Sequence, residues 1–238
     1  MSRLDGQVAV VHQPAPVFLP VIASLYIAHW ESSPARVIVG SLLICGFPGI
    51  WYNNIRRPVL VDPTALTWAL GSAVLSLAGW WFAALIVALI AACMKETAPV
   101  FAAAFCLNPL LLIGVAAPVV RRATAKAGPD THNSKALADP LGSARKAHAE
   151  HVFDPRVMLL PWGAGMLAVF VTDPVIALLL VLSLLLGYGQ LVVAVNTARL
   201  YQWAAPAVAL AAASVIPPGW AAAVLTAHLF NPLAGNGR

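Results

Sequence analysis

The chain has 238 residues, 61% of them hydrophobic and 10% charged, with a formal net charge of +5, where a soluble domain carries about 25% charged residues. Its 14 Lys and Arg and 9 Asp and Glu are too few to solvate the surface of a globule of this size. That composition argues against a soluble enzyme, a nucleic-acid-binding module and a disordered chain alike, and for a chain that needs a bilayer.

In chain order, residues 17–28 and 37–51 are short apolar stretches, each interrupted by proline or glycine. Residues 66–94 and 98–120 are the clearest candidate spans, long, uncharged and parted only by Lys95-Glu96, and each meets the roughly 20 residues that a helix needs to cross a bilayer. Residues 121–156 form the one long polar segment, with turn signals at Gly128-Pro129-Asp130 and Asp139-Pro140 and a short helix beginning at Ser143. Residues 157–172 and 175–195 are again apolar, and 201–230 is broken at Pro217-Pro218, where two backbone donors are lost. The pattern predicts an all-α, polytopic integral membrane helical bundle of about seven transmembrane helices with one basic cytoplasmic linker. Residues 1–120 would form a front bundle of about four spans, 121–156 the linker, and 157–238 a rear bundle of about three.

Alternating the loops of seven spans divides the positive charge unevenly. One side receives Arg3, Arg56, Arg57, Arg121, Arg122, Lys126, Lys135, Arg145, Lys146, Arg156 and Arg199, and the other Arg36, Lys95 and Arg238. Basic residues collect on the cytoplasmic side, so the expected placement is the cell membrane, N-terminus cytoplasmic and C-terminus outside. Trp30, Trp51, Trp68, Trp80, Trp81, Trp162, Trp203 and Trp220 fall near span ends, as in an interfacial aromatic belt.

Few residues offer chemistry. Cys45, Cys93 and Cys106 lie in apolar stretches without CxxC spacing and read as small buried residues. His148-x-x-His151 with Glu150 and Asp154 has metal-ligand types but reads as a solvated loop, so no metal and no cofactor are expected. Lys95-Glu96 is the most informative pair, because ionised groups at membrane depth cost about 2.5–3.5 kcal/mol each on insertion scales and therefore face protein, water or a partner. It reads either as a tight interfacial turn or as a ligand contact on the outer side. Asn196 and Arg199, three apart at the end of a span, share a helical face, and the arginine suits a phosphate. Glu31 is a carboxylate in a short outer loop, able to serve as a base or simply to be solvated. Gln190, inside an apolar span, is able to hydrogen-bond across helices.

Three groups of residues together carry a resemblance. They are Arg57-Pro58-Val59-Leu60-Val61-Asp62-Pro63-Thr64; Lys95-Glu96-Thr97-Ala98-Pro99-Val100-Phe101 with Asn108-Pro109; and Asn196-Thr197-Ala198-Arg199-Leu200-Tyr201-Gln202-Trp203-Ala204-Ala205-Pro206. They resemble landmarks of multi-pass proteins related to the hydrophobic core of GT-C-type glycosyltransferases, which use a polyprenyl-phosphate sugar donor at the outer face of the membrane. The resemblance implies Glu31 as the acidic catalytic residue, Lys95, Arg199 and Asn196 at the phosphate or lipid headgroup, and Glu96 orienting Lys95. Two features depart from the pattern: the first outer loop is short with a single carboxylate, and Asn196 stands where an aspartate is usual. The expected partners are the bilayer, a polyprenyl-phosphate lipid and other membrane proteins, with no nucleic acid. A non-enzymatic scaffold or accessory subunit is the rival reading, and a small transporter the third.

Overall fold

The computed structural model describes residues 15–47, 50, 62–124, 139, 142, 159–190 and 202–229. Every element among them is helical, as the composition predicts. They are α1 (Ala15–Trp30), α2 (Pro34–Gly46), α3 (Asp62–Leu77), α4 (Trp81–Met94), α5 (Ala98–Cys106), α6 (Ala116–Thr124), α7 (Pro174–Gly189), α8 (Ala205–Val215) and α9 (Ala221–Leu229). Two longer 3₁₀ helices, Pro109–Val115 and Leu160–Phe170, complete the bundle with short 3₁₀ turns at Gln202–Ala204 and Pro218–Trp220.

No single described helix is long and apolar enough to cross a membrane; α8 and the segment after Pro217 pass that test only as a pair bent by 114°. The two stretches that read as the clearest spans, 66–94 and 98–120, are divided into shorter pieces. Residues 66–94, read from sequence as one span, lie in two helices joined by Ala78-Gly79-Trp80, where Gly79 takes a φ of +82° that only glycine adopts without strain. α3 and α4 pack antiparallel: the Ser72 hydroxyl donates to the Ala84 carbonyl at 2.7 Å, and the far ends, Asp62 and Lys95, meet in an ion pair. Residues 98–120 break similarly. Leu107 is left-handed at φ 53°, and the Asn108 side chain accepts from the Leu110 N–H at 3.1 Å, capping the 3₁₀ helix that begins at Pro109.

α1 runs parallel to α3. Ile22 lies over Gly71, and the Tyr26 hydroxyl donates to the Phe105 carbonyl at 3.1 Å, close to Asn108, whose amide donates to the Ser76 hydroxyl at 2.8 Å. These contacts fix two ends of the bundle. One carries Asp62 and Lys95; the other carries Glu31, the Ala78–Trp80 turn and Asn108. Two of the expected belt residues, Trp162 and Trp203, are interior, whereas Trp80, Trp81 and Trp220 are exposed.

α8 is the central helix. Its Ala205, Ala207, Ala209, Ala211, Ala212 and Ala213 are fully buried, and it packs on α2, α7 and the 160–170 helix, so helices from both sides of residues 121–156 share one core. Small residues allow backbones to approach closely. Gly165 shows how closely: a Cβ there would sit 2.9 Å from Phe47 Cζ and 2.9 Å from Val208 Cγ1. Gly165→Ala is expected to cost about 1–3 kcal/mol by overpacking. Gly189→Ala, with nothing within 4 Å of the added carbon, should be neutral or slightly stabilising. Detergent melts of the two variants check the contrast.

Candidate functional site

The hairpin of α3 and α4 brings the first residue of one helix beside the residue that ends the other. Asp62 opens α3, where a negative charge is favoured by the exposed N–H groups and the helix dipole, and Lys95 follows α4, where a positive charge is favoured. Each charge thus suits its own helix end as well as its partner. The Lys95 ammonium donates to Asp62 Oδ1, and the same oxygen accepts the Trp203 indole N–H at 3.2 Å. Lys95 Nζ also lies 4.9 Å from the centre of the Trp203 ring, within cation–π range. Asp62 and Trp203 are buried, and Lys95 is mostly so.

Neighbouring elements extend the polar cluster. Thr97, just before α5, and Gln190, just after α7, approach at 3.4 Å. Thr64 and Thr67 are buried on the first turns of α3, the Thr67 hydroxyl donating to the Pro63 carbonyl at 2.8 Å. Tyr188 accepts the Trp162 indole N–H at 3.1 Å. From Trp203 a row of rings leads into the core: Phe101 at 5.2 Å, Phe105 at 6.0 Å from Phe101, and Tyr26 at 6.1 Å from Phe105. The polar cluster is therefore backed by aromatic packing, a setting in which a charge–charge contact is screened far less than in water.

The residues singled out from sequence do not all meet here. Lys95 is central, and Glu96 shares its turn, partly buried. Glu31 is buried at the opposite end of the bundle, paired with Arg36 at 3.2 Å; at 1.5 Å of rise per residue it stands roughly 20 Å from Lys95 along the axis. Asn196 and Arg199 lie outside the described residues, as do His148, Glu150, His151 and Asp154. Sequence reading missed Asp62 and Trp203 as site residues, although both fall within the motifs that carry the resemblance. The signal available was length: residues 66–94 exceed what one span needs, and a hairpin there returns Lys95 to the start of α3.

Among the described residues no group of three or more His, Cys, Asp or Glu is placed to hold a metal. The chemistry within reach is that of an ammonium with three donors beside a carboxylate, which suits a phosphate oxygen and a transferable proton. No protein-family model matches the chain, and neither a similar curated protein nor a similar solved structure was found.

Proposed function

We propose that this chain is a multi-pass integral membrane protein of the cell membrane that binds a phosphate-bearing lipid, of the polyprenyl-phosphate class, at the Lys95 end of its bundle. The observation that carries the reading is the buried Asp62–Lys95–Trp203 cluster, since ionisable groups inside an apolar bundle are expensive and mark ligand sites by default.

The membrane part of the proposal rests on which residues face outward. Val17, Val21 and Leu25 on α1, Phe82, Ile86 and Ile90 on α4, and Leu178, Val181 and Leu185 on α7 are exposed at helical spacing, while many of the buried residues are alanine, serine or threonine, packed among larger side chains such as Phe101 and Trp203. Water-soluble bundles show the reverse arrangement; small residues inside and bulky apolar ones outside suit lipid. Phe82, 79% exposed, follows Trp80 and Trp81 at the Glu31 end, where exposed aromatics form an interfacial girdle. The longest described helices, 16 residues each, rise about 24 Å against a hydrocarbon core of about 30 Å, so the bilayer thins around the bundle.

In this reading Lys95 contacts the lipid phosphate and Asp62 positions it. Were sugar transfer to occur at the site, Asp62 would be the carboxylate beside the phosphate, Glu31 being too distant. The full chain in phosphatidylcholine vesicles is expected to retain a long-chain polyprenyl phosphate and not the corresponding polyprenol. Lys95→Gln should weaken retention about tenfold or more, in line with about 1.5–3 kcal/mol for a hydrogen bond to a charged group. Equal retention of alcohol and phosphate, or no loss in Lys95→Gln, overturns the proposal. One observation favours the non-enzymatic scaffold instead: the Lys95 charge is already answered by Asp62, and the pair ties the α3–α4 hairpin to the start of α8. In that case Lys95→Gln lowers abundance or partner assembly and leaves lipid retention unchanged.

A further inference from the structure

We infer that the Lys95 site opens on the cytoplasmic side of the membrane and takes its phosphate from a lipid of that leaflet, opposite to the outer-face placement that a single span over residues 66–94 would give. The inference rests on the membrane reading and goes beyond it by assigning the side.

A chain of contacts places the ends of the other helices on the Lys95 side of the bundle. Phe47, at the end of α2, meets Trp162 edge-on at 5.1 Å, and Trp162 donates to Tyr188, two residues before Gln190, the partner of Thr97. The 109–115 helix returns from Asn108 toward this end, since Gly114 lies against Pro99 and Ala88. Segments 51–61, 125–158 and 191–201 thus each connect, in sequence, described helix ends that lie on the Lys95 side. By chain position they hold most of the basic residues that the loop count assigned to the cytoplasm, and the α3–α4 hairpin adds Lys95 to them. Arg36, paired with Glu31, is left at the other end. The charge asymmetry that sets orientation becomes stronger than in the seven-span count.

Two single cysteines test this in a chain with Cys45, Cys93 and Cys106 replaced by alanine. In intact cells a membrane-impermeant maleimide is expected to label Trp80→Cys, and to label Glu96→Cys only after permeabilisation. Labelling of Glu96→Cys from outside overturns the inference while leaving the membrane reading intact. Protection of both until permeabilisation, with the chain released by alkaline carbonate, overturns the membrane reading itself. If the cysteine-free chain fails to accumulate, an epitope inserted between Gly79 and Trp80 of the native chain gives the same readout: staining of intact cells supports the assignment, and staining only after permeabilisation overturns it.

Discussion

Replacing Asp62 with alanine is expected to destabilise the folded bundle by about 3–5 kcal/mol, the usual consequence of removing one member of a buried ion pair. Asp62 Oδ1 accepts from both the Lys95 ammonium and the Trp203 indole, so a single substitution removes the acceptor for a charge and for a buried N–H. Lys95→Ala should cost less. The carboxylate it leaves behind still accepts from Trp203 and still sits in the first turn of α3, where its charge is favoured. Asp62→Asn should fall between wild type and Asp62→Ala, since the amide oxygen preserves an acceptor without the charge. Replacing both members by apolar residues of similar size, Asp62→Leu with Lys95→Met, is expected to recover much of the loss, because neither charge then has to be desolvated. Unfolding of the four variants by denaturing detergent, followed by circular dichroism, checks the order. A silent Asp62→Ala would show that the pair contributes nothing to the packing of α3, α4 and α8.

That order also separates fold from function. The apolar double variant keeps the helices together while abolishing any contact between Lys95 and a phosphate. A stable double variant that still retained polyprenyl phosphate would place the ligand elsewhere. One that is stable and has lost retention would locate binding at this cluster without the ambiguity of a misfolded chain.

Much of the helical content was legible because charge-free stretches bounded by proline, glycine and charged residues leave few alternatives for an apolar backbone. The division of those stretches was not. In residues 66–94 a single Gly79 separates α3 from α4, and an isolated glycine in an apolar run marks a turn only when something rewards the reversal. Here that reward is the meeting of Asp62 with Lys95 and of Ser72 with Ala84, contacts between residues far apart in sequence that no local periodicity reveals. Lys95 was conspicuous because it interrupts a long apolar run; Asp62 lies outside that run and entered only as one residue of the Arg57–Thr64 motif. Glu31 was conspicuous as the one carboxylate of a short loop, but that position in sequence says nothing of which end of a bundle a residue occupies. Its partner Arg36 is five residues away across one turn, a local contact that needs no distant ligand.

Trp203→Ala is the other large expected effect. Trp203 heads the fully buried side chains in size, and truncating a buried Trp costs about 3–5 kcal/mol in a water-soluble core. On the membrane reading proposed above, the unfolded helices remain in lipid, so the gain from leaving water drops out and the cavity and lost packing against Phe101 remain; that reading therefore predicts the lower part of the range. Trp203→Phe keeps a ring against Phe101 but removes the N–H and the volume of the second ring, so it should cost about 1 kcal/mol for the hydrogen bond and a further cavity cost that stays below that of Trp203→Ala. The two terms are separable by repeating Trp203→Phe in the Asp62→Ala background, where the acceptor is already gone. If the indole acts through Asp62, the substitution costs less there by about the value of the hydrogen bond, and the coupling between the two positions falls within the roughly 0.5–3 kcal/mol found for residues in contact. Equal cost in both backgrounds would mean that Trp203 serves by filling space alone, and that the carboxylate is positioned by Lys95 and its own helix end.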